Sequence, residues 1–265
     1  SIDEIEHPIA REILRFLEID FPIEITTFAE VPSNTGLGSS SAFAVGLLHA
    51  LHALKRNYVT KSQLAHQASK IEIDIIGRRI GRQDHYAASY GNLNMFRFMQ
   101  DDGVIVEPVY VEDNIRKKIE DATLLFYTNL KRDADQILTI QNDRTQENLQ
   151  NLICMRDLCL PLRDVITHDF NIQDYGKIIH QGWEYKKTLT PTITSPEINS
   201  YYQKGLSAGA VGGKLLGAGG GGFIMLATPP EATENVIKAM SPLYNMPIKI
   251  DLGGTRITYY DNSGD

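Results

Sequence analysis

One loop and two carboxylates carry the chemistry that residue type and spacing can supply. The loop is Pro32-Ser33-Asn34-Thr35-Gly36-Leu37-Gly38-Ser39-Ser40-Ser41-Ala42, and the carboxylates are Glu72 and Asp84. Gly36 and Gly38 lack a Cβ and can turn consecutive N–H groups toward one point. Ser39, Ser40 or Ser41 can cap a helix after the loop. Free N–H groups and the positive end of a helix dipole make an anion site, and hydroxyls at its mouth could add a Mg²⁺ ligand. The loop therefore reads as a phosphate cradle. It is not a Walker loop, because no Gly-Lys-Ser/Thr closes it. The plainer reading is a Gly-Ser loop capping a core helix. Glu72 and Asp84 also have plain readings, a solvated helix charge and a helix N-cap. Together with a cradle they have a use: phosphoryl transfer from ATP needs Mg²⁺ on the phosphates and a group that orients or deprotonates the acceptor hydroxyl.

The elements that hold these groups in place are read from periodicity. Residues 1–19 place Ile5, Ile9, Ile13, Phe16 and Leu17 at helical spacing. Pro22 ends that run, and Ile23 to Phe28 alternates like a half-buried strand. After the loop, the run to Leu54 is apolar nearly all round and predicts a helix buried on most sides. Thr60 or Ser62 caps the next helix, with Glu72 near its end. A cationic loop of Arg78, Arg79 and Arg82 comes next, and Asp84 opens a short Ala-rich turn. Residues 93–98 and 104–106 form strands joined by an Asp-Gly hairpin turn. A helix over 113–120 precedes a strand over 122–127. Residues 133–190 are mostly helical, with breaks near Pro161 and Asn171. Another helix starts at Ser195 and runs to about Ala208. Short strands flank the glycine turn Gly217-Ala218-Gly219-Gly220-Gly221-Gly222. There four consecutive glycines suit a backbone lying against something bulky. A helix over 231–240 and strands over 248–250 and 255–260 close the chain.

The bulk numbers narrow the function class. The chain has 265 residues, 42% hydrophobic and 22% charged, with a net charge of −7. That is a globular composition with enough chain for a core, and the charge argues against nucleic acid or an anionic membrane as a partner. An anionic substrate would need a local basic pocket. No apolar stretch reaches the length of a membrane span. Cys154 and Cys159 have neither zinc nor redox spacing, which suits a reducing cytoplasm.

The order Pro-x-x-x-Gly-Leu-Gly-Ser-Ser-Ser-Ala closely resembles the central motif of the GHMP kinases, the superfamily of galactokinase, homoserine kinase, mevalonate kinase and phosphomevalonate kinase. Glu72 followed by Gly81-Arg82-Gln83-Asp84-His85-Tyr86-Ala87-Ala88 and Gly91 resembles that family's acidic region. The stretch Gly209 to Phe223 resembles its third, glycine-rich motif. The acidic region is most similar to the sugar branch, and within it to the heptose kinases acting on D-glycero-D-manno-heptose 7-phosphate. His85 and Asn92 depart from that branch, which usually has Gln and Gly there.

The resemblance implies an α+β fold in two domains. The N-terminal α/β domain, residues 1–112, carries the phosphate loop. The C-terminal domain, residues 113–265, sets helices on an antiparallel sheet. It implies ATP and Mg²⁺ as cofactors, with ATP between the domains over both glycine loops. Pro32, Gly36, Leu37, Gly38, Ser39, Ser40, Ser41, Gly217, Gly219 and Gly220 would contact nucleotide. Ser40 and Glu72 would hold the metal, with Ser39 and Ser40 not separable by sequence. Asp84 would be the catalytic base, and Arg82, Gln83, Asp84 and Arg132 would face the substrate. The reaction implied is transfer of the γ-phosphoryl group to a sugar or sugar phosphate in the cytoplasm, with a small molecule as partner and room for a homodimer. A fucose- or galactose-type kinase is the alternative enzyme. A sugar- or nucleotide-binding protein on a kinase scaffold is the alternative from another class. The family's earlier motif, on a strand pair that supplies a basic residue and sugar contacts, has no counterpart before Ile23. The expectation is that the natural protein is longer and that the N-terminal domain here lacks its first strands.

Overall fold

In the computed structural model, which describes residues 2–31, 35–130 and 134–261, the first apolar stripe becomes helix α1 (Pro8–Phe16). His7 caps it, Nδ1 accepting the Ala10 N–H at 3.3 Å. Helix α2 (Ser39–Leu54) comes directly after the loop, and α3 (Lys61–Lys70) begins at a capping box of Thr60 and Gln63. Ile71–Ile75 continues α3 as a π-helical turn, closed by the Ile76 N–H on Ile71 O at 2.9 Å. Helix α4 (Gln83–Tyr90) leads into the hairpin of β1 (Asn94–Phe98) and β2 (Val104–Pro108).

The remaining elements are α5 (Asp113–Ala122), β3 (Thr123–Tyr127), α6 (Ala134–Asp143), α7 (Leu149–Asp157), α8 (Cys159–Thr167), α9 (Ile172–Leu189), α10 (Pro196–Ser207), β4 (Gly212–Leu215), β5 (Phe223–Ala227), α11 (Thr233–Met240) and β6 (Tyr244–Met246). Four of these strands form one antiparallel sheet in the order β4-β5-β3-β6.

The chain divides into two compact units. The first comprises Ser1–Ser33, Gly38–Ile105 and Asp251–Asp265, and the second Asn34–Leu37 and Val106–Ile250. The core of the first is Ile9, Ile13, Leu14, Leu17, Val45, Leu48, Leu51, Leu64, Ala68 and Ile71, from α1, α2 and α3. The core of the second joins Leu124, Phe126, Ile224 and Leu226 of the sheet to Trp183, Ile198, Val236 and Met240 of the helices. The mixed helix-and-sheet architecture expected from sequence is the one observed.

Several local expectations change. Residues 251 onward join the first unit rather than the second. The Asn92 N–H bonds to Asp251 O and the Thr255 N–H to Ala88 O, which ties this segment to α4 and the turn after it. Residues 23–28 form no strand. Their alternation sets a pleat, but a strand needs a ladder partner, and Phe28 is 96% exposed. Residues 248–250 and 255–260 also stay outside any sheet, and the Ile250 N–H goes to Glu120 Oε1 at 2.9 Å. The expected break near Pro161 is present: α7 ends at Asp157 and α8 begins at Cys159, with Pro161 in the first turn of α8, where a missing N–H costs nothing.

Candidate active site

The start of α2 is set by backbone conformation rather than by a serine. Gly38 is the N-cap, with φ 71°, and supplies no side-chain cap. The expected serine cap is therefore wrong: Ser39, Ser40 and Ser41 are the first three helical residues. Their N–H groups belong to the orphan donors of a helix start, and the N-cap residue itself, a glycine, has no side chain to bond them. This is what an anion at a helix N-terminus requires. Ser41 is buried, whereas Ser39 and Ser40 are half-buried.

Asp84 stands at this helix start. A β-carbon on Gly38 would lie 3.2 Å from Asp84 Cβ and 3.3 Å from Asp84 Oδ2. Asp84 is exposed and is not the cap of α4, since Arg82 holds the N-cap position and makes no side-chain cap bond. The helix-cap reading of Asp84 therefore falls.

Glu72 reaches the same helix start from the π-helical turn. Its carboxylate is fully buried. Oε1 accepts from His85 Nε2 at 3.0 Å and Oε2 from Arg78 Nη1 at 2.6 Å. The Ser40 hydroxyl also hydrogen-bonds to it. Burial pushes this carboxyl up, but the His85 bond and charge, the Arg78 charge and the Ser40 hydroxyl outweigh it and hold the group below its ordinary 4.5. The solvated-charge reading of Glu72 falls too. The π turn has a positional effect: its one added residue rotates the rest of the chain about the helix axis, and such turns recur at functional sites.

Ser40 and Glu72 fit a magnesium ion in kind. Both are hard oxygen donors, they touch each other, and a hydroxyl with one carboxylate is a sparse set of the sort Mg²⁺ takes beside phosphates. Among the described residues no group of three or more His, Cys, Asp or Glu side chains gathers to form a denser cage.

The second unit holds the other glycine loop, packed on Thr35–Leu37. A β-carbon on Gly36 would lie 3.0 Å from Leu216 O and 3.1 Å from Gly217 Cα, and one on Gly222 would strike Thr35 O. One on Gly219 would come within 2.9 Å of Ile193, and one on Gly221 would strike Leu130 O. The run of glycines is thus explained by backbone lying on backbone. Gly220 spends its N–H on Ile193 O at 2.8 Å, so that N–H is not offered to a phosphate. Lys186 of α9 donates to Gly217 O.

The remaining expected contacts are dispersed. Arg82 is bound to the hairpin, with Nη2 on Asp102 Oδ1 at 2.7 Å and Nη1 on Asp102 O at 3.0 Å. Gln83 is exposed beside Asp84. Arg132, like Pro32, lies outside the described residues. Sequence reasoning missed His85 and the pairing of Arg78. No local pattern marks either one, because the partner, Glu72, lies 13 residues from His85 and 6 from Arg78.

Comparison with known proteins adds a lineage to this geometry. The N-terminal domain model of the GHMP kinases matches residues 7–92, and the C-terminal model of the same family matches residues 167–245, together more than half of the chain. The chain is 28% identical over 235 residues to the D-glycero-alpha-D-manno-heptose 7-phosphate kinase of Campylobacter jejuni, covering 87% of this chain and 68% of that protein. It is 26% identical to the L-fucokinase/L-fucose-1-P guanylyltransferase of Bacteroides fragilis, covering 83% of this chain and 24% of that protein. The crystal structure of a D-glycero-D-manno-heptose 1-phosphate kinase from Bacteroides thetaiotaomicron superposes with a TM-score of 0.70 at 25% identity, over 97% of this chain and 77% of that one.

Proposed function

The chain belongs to the GHMP kinases, and on that premise we propose that it transfers the γ-phosphoryl group of ATP to a hydroxyl of a sugar phosphate of the D-glycero-D-manno-heptose 7-phosphate type. The observation that carries the reading is the exposed Asp84 carboxylate beside Gly38, at a helix start whose N-cap is a glycine.

In this reading the first-turn N–H groups of α2 hold phosphate, and Gly38 keeps a side chain out of the way. Asp84 accepts the proton of the acceptor hydroxyl as its oxygen bonds to the γ-phosphorus. The bond from that phosphorus to the bridging oxygen breaks, and ADP leaves. Ser40 and Glu72 would hold magnesium, which would neutralise phosphate charge. His85 keeps Glu72 oriented through Oε1. Gln83, next to Asp84, faces the sugar, and Arg132 meets the substrate phosphate. The reaction belongs in the cytoplasm, and among the described residues no helix is long and apolar enough to cross a membrane.

A fucose- or galactose-type kinase is the second reading. It is favoured by one observation: Arg82, a candidate for the substrate phosphate, is already bound to Asp102. The two are separated by measuring ADP release with heptose 7-phosphate, galactose and fucose as acceptors. The first reading expects turnover with the heptose phosphate and little with the free hexoses. Equal use of galactose or fucose sinks the phosphate claim.

A further inference from the structure

We propose that Arg78 competes with the metal for Glu72, so that nucleotide-bound magnesium enters by displacing the arginine from Oε2. The proposal rests on the reading of Glu72 as a metal ligand. A carboxylate with no exposure must keep its charge matched, because an unpaired buried charge is costly. Arg78 and His85 both bond it here, and they differ in how freely they could leave. His85 is itself fully buried, and its Nδ1 has no hydrogen-bond partner among the described residues. It is fixed by packing on the helix that carries Asp84. The Arg78 side chain is 26% exposed. Its backbone is anchored, the N–H bonding Glu72 O at 2.9 Å, so exchange requires only movement of the side chain. The backbone on either side is unencumbered: Gly77, with φ 82°, and Gly81 each have nothing within 4 Å of where a β-carbon would be.

Oε1 is therefore the fixed oxygen and Oε2 the exchangeable one. Ser40 is the second oxygen donor beside this carboxylate. Its hydroxyl donates to the carboxylate yet keeps lone pairs that a cation could use. A guanidinium and a divalent ion cannot share one carboxylate oxygen at contact distance, since like charges that close repel strongly in a buried setting. Metal affinity is then reduced by the fraction of molecules in which Arg78 holds Oε2.

The test titrates Mn²⁺ with ADP into wild type, Arg78→Met, Arg78→Lys and Glu72→Gln, counting bound Mn²⁺ by electron paramagnetic resonance, with melting curves alongside. Competition predicts that Arg78→Met binds Mn²⁺ severalfold more tightly than wild type. In buffer containing chelator it should melt lower, and it should regain more than wild type when Mn²⁺ and ADP are added. Should Arg78→Met fail to fold, Arg78→Lys decides: it keeps a cation but loses the planar fork, and must also bind Mn²⁺ more tightly. Unchanged or weaker binding in the folded Arg78 variant, with weaker binding in Glu72→Gln, overturns the competition and leaves Glu72 as ligand. Unchanged binding in Glu72→Gln removes Glu72 from the metal site, and the proposal goes with it.

Discussion

The Asp84 carboxylate lies against the Cα of Gly38, so close that a β-carbon there would sit 3.3 Å from Oδ2. The base candidate and the N-cap of the helix proposed to hold phosphate are thus one contact apart. Gly38→Ala should disturb both. A non-glycine residue at φ 71° costs about 1–2 kcal/mol, and the methyl group pushes Asp84 aside. A lowered melting temperature with at least about tenfold weaker ADP binding by calorimetry is expected. Full ADP affinity in the variant would remove this helix start from the nucleotide site.

Asp84→Asn separates chemistry from binding. The amide keeps the shape of the side chain but cannot take a proton. Turnover should fall about 10²–10⁴-fold, the usual span for loss of a general base. ADP affinity should barely move, because the amide keeps the size of the side chain beside Gly38. Near-normal kcat would return Asp84 to a spectator.

Glu72 gives a dependence on pH. Its folded pKa lies below the ordinary 4.5, so the folded state binds this proton less readily than the unfolded state. The stability it contributes is complete above about pH 4.5 and is lost as pH falls through the folded value. Breaking a buried ion pair costs about 3–5 kcal/mol, and Glu72→Gln, which keeps hydrogen bonding, should cost somewhat less. Urea titrations should therefore show a constant gap between wild type and Glu72→Gln from neutral pH down to about 4.5, then a narrowing one. A gap that holds steady well below that range would contradict the assigned shift.

Gly222→Ala tests the second loop. Its methyl would strike Thr35 O, at a φ of 95°. Overpacking of this kind costs about 1–3 kcal/mol. A lower melting temperature is expected, with Thr35–Leu37 displaced and ADP bound more weakly. A variant as stable as wild type would mean the backbone contact is looser than described.

Much of the site could be read from the residues because it is built from local patterns. Glycines at 36, 38, 217 and 219 to 222 announce positive φ or close approach, and every one of them shows one or the other. Helices α1 and α3 follow their apolar stripes. The parts that could not be read depend on partners distant in sequence. The alternation at Ile23 and Ile25 specifies a pleat but not a neighbouring strand. The π turn at Ile71–Ile75 leaves the same apolar periodicity as an α-helix, so it is invisible until Glu72 is seen turned inward. The identity of its partners, Arg78 and His85, is decided by how the loop after the π turn and α4 are laid against Glu72, not by any spacing.

The return of the last segment to the first unit bears on how the protein is made. A β-carbon on Gly91 would strike Gly254, and Lys61 donates to Gly253 O at 2.7 Å and to Tyr90 O at 3.1 Å. His49 and Thr255 meet at 3.0 Å. These contacts close the unit that holds Gly38, Glu72 and Asp84, yet the residues that make them are translated only after Val106–Ile250. On the ribosome the helices bearing the candidate site must therefore wait, with part of their surface uncovered, while the intervening unit is synthesised and can fold first. Chains stalled just after residue 250 should show a protease-resistant second unit and a first unit that is still cleaved. The candidate site would then gain protection after the second unit.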